Sequence, residues 1–86
     1  MRLGFSDRFG KQRGKLSAGA GKAFDERLRL FVQNPSHPML RNHALHGGYA
    51  VCRSINITGD IRAVYTEIEP GTALFIAIGA HSQLYE

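Results

Sequence analysis

Charged and aromatic side chains interrupt the apolar stretches of the second half of the chain. Asp60 and Arg62 lie within residues 53–65 (RSINITGDIRAVY), and His81 and Tyr85 follow a further apolar stretch. A carboxylate, a guanidinium, an imidazole and a phenol can together bind a phosphate and move protons near neutral pH. A short β-hairpin does not need these side chains to fold, so their types indicate chemistry on a small sheet.

Asp60 and Arg62 are two positions apart, and on a strand this spacing places both side chains on one face. One interpretation is a structural ion pair on an exposed face, which contributes about 0–1 kcal/mol to stability. The other is that Arg62 binds a phosphate through two parallel hydrogen bonds, while Asp60 orients Arg62 or exchanges protons. The spacing alone leaves both interpretations open.

His81 comes directly after an apolar stretch that contains Gly79 near its end. An imidazole at a strand end suits acid or base catalysis near neutral pH, and a small residue beside it lets a substrate approach the backbone. The alternative is a histidine that only makes a hydrogen bond at the sheet edge. Tyr85 either stacks on a nucleobase or covers the core.

The other histidines and the single cysteine offer further chemistry. His43 and His46 are spaced as co-ligands on a helical turn, with His37 nearby, but no second cysteine or flanking acid completes a known metal motif. Cys52 lies among apolar residues, where a cysteine is usually a small buried hydrophobe. We therefore predict no metal, no other cofactor and no cysteine nucleophile.

Length and composition restrict the class of protein. A chain of 86 residues with 43% apolar residues predicts one domain over residues 1–86, which buries only about 60–65% of its unfolded surface. No apolar run approaches the roughly 20 residues of a membrane span, and no secretory signal is visible. One cysteine excludes a disulfide framework. The expected location is the reducing cytoplasm.

Positive charge is concentrated in the first half of the chain. Residues 1–46 hold nine Lys or Arg and three acidic residues, which gives a net charge of +6. Residues 47–86 hold two Lys or Arg and four acidic residues, which gives a net charge of −2. This asymmetry favours a polyanionic partner, because phosphate attraction is the usual role of a Lys/Arg-rich face. The alternative is a helix surface that only confers solubility.

The hydrophobic pattern predicts an α+β fold: an N-terminal strand, two helices, and then a three- to four-stranded antiparallel sheet with the helices packed on one face. Ser6 and Ser17 are typical N-cap residues and predict where the two helices begin. Two glycines early in the second helix lower its helix propensity, so a start nearer Lys22 is the alternative. The predicted elements are a strand near residues 2–5, helices over 6–16 and 17–33, and strands over 49–57, 61–68 and 72–78.

Four sequence blocks together resemble the toxins of bacterial type II toxin–antitoxin modules in the RelE/ParE superfamily, and among these the YafQ-type mRNA interferases most. Their order and spacing from about residue 24 to residue 85 carry the resemblance, because no single block is specific. The blocks are residues 31–35 (FVQNP), 40–47 (LRNHALHG), 53–65 (RSINITGDIRAVY) and 78–85 (IGAHSQLY).

The resemblance implies a RelE-like fold and a ribosome-dependent endoribonuclease that cleaves mRNA in the A site. In that reaction the 2′-hydroxyl of the RNA attacks the adjacent phosphorus without a metal. The protein helps to deprotonate this hydroxyl, stabilises charge on the phosphoryl oxygens and protonates the 5′-oxygen. The implied partners are the ribosome, mRNA and a cognate antitoxin, with a monomer when free and a hetero-oligomer with the antitoxin.

The resemblance also implies five catalytic residues. His43 and Asp60 match acid–base residues of the YafQ-like branch, and His81 matches its C-terminal catalytic histidine, with general acid the implied role. Arg62 falls where related members keep a phosphate-binding arginine. Tyr85 falls where the family uses a terminal aromatic residue to hold the substrate.

One position of the hairpin departs from the family pattern. Where this chain has Asn56, the YafQ-like pattern can carry a further histidine. Two alternatives therefore stay open: a non-catalytic ParE-like toxin that inhibits DNA gyrase, and a degenerate member that binds an antitoxin and cleaves nothing. ParE-type relatives generally lack the histidine and tyrosine of the last block, so His81 and Tyr85 favour the nuclease.

Overall fold

A five-stranded sheet organises the chain in the computed structural model, which describes residues 1–84. β1 is parallel to β5, and the other neighbouring strands are antiparallel. The sheet order is β1-β5-β4-β3-β2. This arrangement confirms the predicted α+β fold and adds a short edge strand, β2, to the predicted sheet. The strands are β1 (Arg2–Phe5), β2 (His43–Ala44), β3 (Arg53–Asn56), β4 (Ile61–Glu69) and β5 (Thr72–Ala80).

Two helices, α1 (Asp7–Gly14) and α2 (Ala18–Gln33), follow β1. The hydroxyl groups of Ser6 and Ser17 each accept a 3.1 Å hydrogen bond from a backbone N–H in the first turn of the helix that follows. These caps satisfy donors that have no partner within the helix. Because the Ser17 cap fixes the start of α2, the alternative start nearer Lys22 is wrong. No helix within residues 1–84 is long and apolar enough to cross a membrane.

The segment between α2 and β3 contains two 3₁₀ turns, Pro38–Leu40 and Gly47–Tyr49, on either side of β2. The predicted strand over residues 49–57 is therefore shortened. The backbone N–H of Cys52 donates a 2.8 Å hydrogen bond to the carbonyl of Tyr49, so it is not available to a neighbouring strand. β3 begins only at the next residue.

The main core lies between α1, α2 and one face of the sheet. Its centre is the ring of Phe75 on β5, which is fully buried. Phe9, Phe24, Phe31 and Tyr65 surround it, with ring centroids 5.3–6.0 Å from that of Phe75. Tilted and edge-to-face ring pairs of this kind add to the stabilisation from buried area. The cluster explains why both long helices pack on the same face, as predicted.

A second, smaller cluster covers part of the opposite face. Its buried members are Cys52, Val64, Ala77 and Leu84. Leu84 belongs to α3 (His81–Leu84), a short helix directly after β5 that the hydrophobic pattern did not predict. Since neighbouring residues of β4 alternate between the two faces, α3 packs on the face that α1 and α2 leave open.

α1 also covers the part of β5 that β1 does not reach. β1 pairs only with residues 72–75 of β5. Beyond them, the Ser6 hydroxyl donates to the carbonyl of Ile76 at 3.3 Å, and the Gln12 side-chain oxygen accepts from the backbone N–H of Ile78 at 2.9 Å. These side chains satisfy edge groups of β5 that would otherwise need another strand.

Replacing Gln12 with alanine is expected to lower the free energy of unfolding by about 1–3 kcal/mol, because a buried backbone N–H loses its acceptor. Ile78, which carries this N–H, is 1% exposed. Chemical denaturation followed by circular dichroism measures the change. The control is Gln33→Ala at the exposed end of α2, for which we expect a change within about 0.5 kcal/mol. Equal losses in both variants would contradict this role of Gln12.

Candidate active site

The turn between β3 and β4, residues 57–60, places Asp60 at one end of the sheet. The Thr58 hydroxyl accepts hydrogen bonds from the backbone N–H groups of Asp60 and Ile61, at 3.3 and 3.0 Å. Threonine favours turns because it can make such local bonds. Asp60 is exposed, and within residues 1–84 no hydrogen bond or ion pair engages its carboxylate. The carboxylate is therefore accessible to a ligand.

His81 is joined to the same turn through the backbone. Its N–H donates a 3.0 Å hydrogen bond to the carbonyl of Asp60, just beyond the last strand pair, Ile61 with Ala80. His81 is exposed and is the first residue of α3. The structure thus brings the predicted carboxylate and the predicted C-terminal imidazole to the same end of the sheet.

Two contacts hold α3, and with it His81, against the sheet. The Gln83 side-chain oxygen accepts a 3.1 Å hydrogen bond from the backbone N–H of Ala80, and Leu84 is 6% exposed in the second cluster. A Cβ atom on Gly79 would lie 3.1 Å from the Gln83 side-chain oxygen. The missing side chain at Gly79 therefore makes room for α3.

The guanidinium group of Arg62 binds the backbone of the turn. Nη1 donates to the carbonyls of Thr58 and Ile61 at 2.9 and 3.2 Å, and Nη2 donates to the carbonyl of Gly59 at 3.3 Å. A guanidinium has five N–H donors, so these three bonds leave two donors for a ligand. The turn thus fixes the orientation of a half-buried cation.

The structural ion pair between Asp60 and Arg62 does not form. Within residues 1–84 the one ion pair joins Arg13 of α1 to Asp25 of α2, at 3.1 Å. Asp60 precedes the first residue of β4, so the strand alternation that would place it beside Arg62 does not extend to it. The interpretation of these two residues as a salt bridge is therefore wrong.

His43 lies on the same face as Arg62 but far from His81. It is paired with Ser54, which is paired in turn with Val64 and, beyond it, Ala77. Three strand spacings of about 4.8 Å place the His43 backbone roughly 14 Å from that of Ala77. His81 is four residues after Ala77, directly beyond the end of β5, and so lies still farther from His43. The structure does not bring the two histidines together.

The hydrogen bond of the His43 ring defines its tautomer. Nδ1 lies 2.7 Å from the carbonyl oxygen of Arg41. A carbonyl can only accept, so Nδ1 carries the proton of the neutral ring and Nε2 is left as an acceptor. His43 is exposed. An accessible neutral nitrogen of this kind is what a general base requires.

A cleft of about 400 Å³ lies beside the turn, on the β3 side. Asn56 and Arg62, which are paired across β3 and β4, line this cleft. Arg27 of α2 and Arg41 also line it, although neither was predicted as a site residue. A cue for Arg41 was its position two residues before His43, within one of the four blocks. Arg27 has no such cue, because it reaches the cleft only through the packing of α2.

The remaining candidates are Tyr85, which was predicted to hold the substrate, and the histidines that were considered as metal ligands. Tyr85 lies outside the described residues. Within residues 1–84, no group of three or more His, Cys, Asp or Glu side chains is arranged to hold a metal ion. His37 has a structural role, since its Nδ1 accepts a 3.1 Å hydrogen bond from the backbone N–H of Met39 at the start of a 3₁₀ turn.

Cys52 is 7% exposed, and burial raises the pKa of its thiol. We expect a disulfide reagent to label Cys52 at least about tenfold more slowly in the native protein than in urea at pH 8, since the second cluster must open first. Because the unfolded thiol ionises at a lower pH, stability should fall as the pH rises above the unfolded pKa. Equal labelling rates in the two states would contradict the burial of Cys52.

Comparisons with known proteins place the fold. No protein-family model and no curated protein matches the chain, but solved structures do. YafQ from Escherichia coli strain BL21(DE3) is 16% identical with a TM-score of 0.79, and the match covers 100% of both chains. A YoeB/ParE toxin from Agrobacterium tumefaciens is 19% identical with a TM-score of 0.77, covering 94% of this chain and 99% of that one.

A third similar structure comes from a complex. The RelBE2 toxin–antitoxin complex from Mycobacterium tuberculosis contains a chain that is 17% identical with a TM-score of 0.75, and the match covers 93% of this chain and 96% of that one. The chain therefore has the fold of the RelE/ParE-like toxins, which YafQ shares. The RelE-like fold predicted from the four sequence blocks is confirmed.

Proposed function

We propose that the chain is the toxin of a toxin–antitoxin module, a single domain over residues 1–86 that cleaves mRNA in the ribosomal A site. The observation that carries the proposal is the hydrogen bond from the His81 N–H to the Asp60 carbonyl. It holds an exposed imidazole and an exposed carboxylate at one end of the sheet, where Arg62 on β4 offers two further donors. The fold shared with YafQ and YoeB/ParE toxins supports the same assignment.

The proposed reaction starts with the 2′-hydroxyl of the RNA. Asp60 takes the proton of this hydroxyl, and the oxygen attacks the adjacent phosphorus. Arg62 stabilises the negative charge that develops on the phosphoryl oxygens, because its guanidinium is already oriented by the turn. His43, at the far edge of the same face, can act only on RNA that extends across the sheet.

Departure of the 5′-oxygen from phosphorus completes the proposed reaction. As the new bond from the 2′-oxygen to phosphorus forms, the bond from phosphorus to the 5′-oxygen breaks, and His81 donates a proton to that oxygen. The products are a 2′,3′-cyclic phosphate and a 5′-hydroxyl. No metal takes part in this proposal, and Tyr85 is assigned to holding the substrate.

An antitoxin is the proposed protein partner. The structures that share this fold include the DinJ-YafQ complex from Escherichia coli and the RelBE2 toxin–antitoxin complex. The net charge of +6 over residues 1–46 suits an acidic antitoxin segment that folds on binding. We propose a cytoplasmic monomer in the free state and a hetero-oligomer with the antitoxin.

Ribosomes programmed with a defined mRNA test the proposed activity. The expected result is cleavage within the A-site codon, with 2′,3′-cyclic phosphate and 5′-hydroxyl ends, and no cleavage of the same mRNA without ribosomes. Intact mRNA together with trapped gyrase–DNA complexes would instead favour a ParE-like gyrase inhibitor. Intact mRNA and unaffected gyrase, in a protein that still binds an antitoxin, would favour a degenerate member.

A further inference from the structure

We infer that the cleft on the β3 side of the turn binds a backbone phosphate of the RNA strand that enters the active site. We call it the arginine cleft, after Arg27, Arg41 and Arg62, which line it together with Asn56 and residues 57–59. This inference rests on the proposed function and adds a binding subsite to it. The ligand class is a phosphodiester of single-stranded RNA.

The charge of the arginine cleft favours an anion. Arg27 comes from α2, Arg41 from the end of a 3₁₀ turn and Arg62 from β4, and no acidic residue lines the cleft. None of the three is in an ion pair within residues 1–84. Three guanidinium groups around one space repel each other unless an anion lies between them. Guanidinium groups also match phosphate oxygens through paired N–H donors.

The backbone orients two of these guanidinium groups. Arg27 donates from Nε to the carbonyl of Ile57 at 3.5 Å, and Arg62 donates to three carbonyls of the turn. Both side chains are half-buried, which reduces the entropy that they lose when a ligand binds. The cleft is thus partly organised before an anion arrives.

Arg41 has a backbone conformation that its side chain does not favour. Its φ of 47° makes it the one non-glycine residue with positive φ within residues 1–84. It follows the 3₁₀ turn Pro38–Leu40, at the position where glycine is the usual choice because it has no Cβ atom. The left-handed conformation costs an arginine about 1–2 kcal/mol. Such strain is characteristic of ligand sites. The guanidinium group that Arg41 contributes to the arginine cleft explains why an arginine, and not a glycine, occupies this position.

The arginine cleft and His81 lie on either side of the same turn. Asn56, Arg62 and Gly79 are paired across β3, β4 and β5, so about 10 Å separates the outer two. Arg62 lies between these two positions, so an RNA strand with its scissile phosphate beside His81 and Arg62 can place the neighbouring phosphate at Arg27 and Arg41 of the cleft. The volume of about 400 Å³ is within the range of roughly 300–1,000 Å³ that is typical of small-ligand sites.

Asn56 favours RNA over an acidic peptide as the occupant. Its side-chain amide is half-buried at the cleft and offers both donors and an acceptor, which suit a nucleobase or ribose. A nucleotide presents its ribose and base directly beside the phosphate, so the amide can pair with these groups while the guanidinium groups hold the phosphate. The same residue that departs from the family pattern thus lies where a nucleotide would contact it.

The test measures RNA binding without cleavage. A fluorescent single-stranded oligonucleotide with 2′-O-methyl groups has no free 2′-hydroxyl, so its anisotropy reports affinity alone. We expect Arg27→Gln and Arg41→Gly each to weaken binding by about tenfold at low salt, and to reduce the slope of log K against log salt by about 0.7. Arg8→Gln is the control for net charge, because Arg8 is exposed on α1 outside the cleft; we expect less than about twofold weakening.

Arg41→Gly separates loss of binding from loss of folding. Glycine suits the positive φ, so the thermal midpoint of this variant should stay the same or rise while its affinity falls. Equal weakening by Arg8→Gln and the two cleft variants would overturn the inference. So would a carboxylate-rich peptide that binds in an Arg41-dependent way while the oligonucleotide does not.

The two proposals fail in different ways. If the wild-type protein cleaves A-site mRNA but the Arg27 and Arg41 variants bind the oligonucleotide as tightly as wild type, the arginine cleft is wrong and the proposed function stands. If the cleft variants lose RNA binding but the wild-type protein leaves A-site mRNA intact, the binding site stands and the proposed nuclease is wrong.

Discussion

Replacing His81 with alanine is expected to slow cleavage of A-site mRNA by about 10²–10⁴-fold, the usual contribution of a general acid. The variant keeps the backbone N–H that donates to the Asp60 carbonyl. Because His81 is exposed, the substitution removes the imidazole with little loss of packing. Single-turnover cleavage on programmed ribosomes measures the rate, and circular dichroism confirms that the variant is folded.

His46→Ala is the matched control for this prediction. His46 is also exposed, but it lies beyond β2 near Cys52, as the 3.0 Å hydrogen bond from the Leu45 N–H to the Cys52 carbonyl shows. Five residues of extended chain, roughly 17 Å, separate Cys52 from the turn that holds Asp60. We expect this variant to cleave within about twofold of wild type. Wild-type activity of His81→Ala, or an equal loss in His46→Ala, would contradict the proposed role of His81.

Replacing Phe75 with alanine is expected to lower the free energy of unfolding by about 3–5 kcal/mol. Phe75 is fully buried and contacts aromatic rings from both long helices and from β4. Small domains have a total stability of only about 0.05–0.15 kcal/mol per residue. For 86 residues this is roughly 4–13 kcal/mol, so the variant should lose a large fraction of its stability and unfold at a lower temperature and urea concentration than wild type. Thermal and urea denaturation of the free protein measure the loss.

Ile68→Ala is the control for Phe75→Ala. Ile68 lies on β4 but is 60% exposed, so its truncation is expected to change stability by no more than about 0.5 kcal/mol. A loss below about 1 kcal/mol for Phe75→Ala would contradict the aromatic cluster as the centre of the core. An antitoxin that binds the folded state would raise the stability of both variants by mass action, so the measurement requires the free toxin.

Local signals in the sequence predicted the parts of the fold that depend on neighbouring residues. Ser6 and Ser17 are the N-caps of α1 and α2, and β4 and β5 form where apolar segments of the sequence predicted strands. Contacts between distant residues could not be predicted in this way. The hydrogen bond from the Ile78 N–H to Gln12 depends on how α1 packs against β5, and α3 is too short for a periodic signal.

For the candidate site, too, the sequence predicted residue types and spacing but not the contacts between residues that are distant in the chain. The spacing of Asp60 and Arg62 predicted a shared strand face, but Asp60 lies in the turn before β4 and the Arg62 guanidinium donates to carbonyls of that turn. Proximity of Asp60 to His81 follows from the pairing of β4 with β5, which only the folded sheet defines. Arg27 was missed because a helix far away in the sequence brings it to the cleft.

Cleavage by attack of the RNA 2′-hydroxyl in the A site requires that hydroxyl, so its removal from one nucleotide decides whether this reaction occurs. Two mRNAs are compared on programmed ribosomes: one contains ribose throughout, and the other has a single 2′-deoxy nucleotide at the attacking position of the A-site codon. We predict that the wild-type protein cleaves the first and leaves the second intact. Equal cleavage of both mRNAs, or no cleavage of the all-ribose mRNA, would show that the protein does not cleave by 2′-hydroxyl attack in the A site.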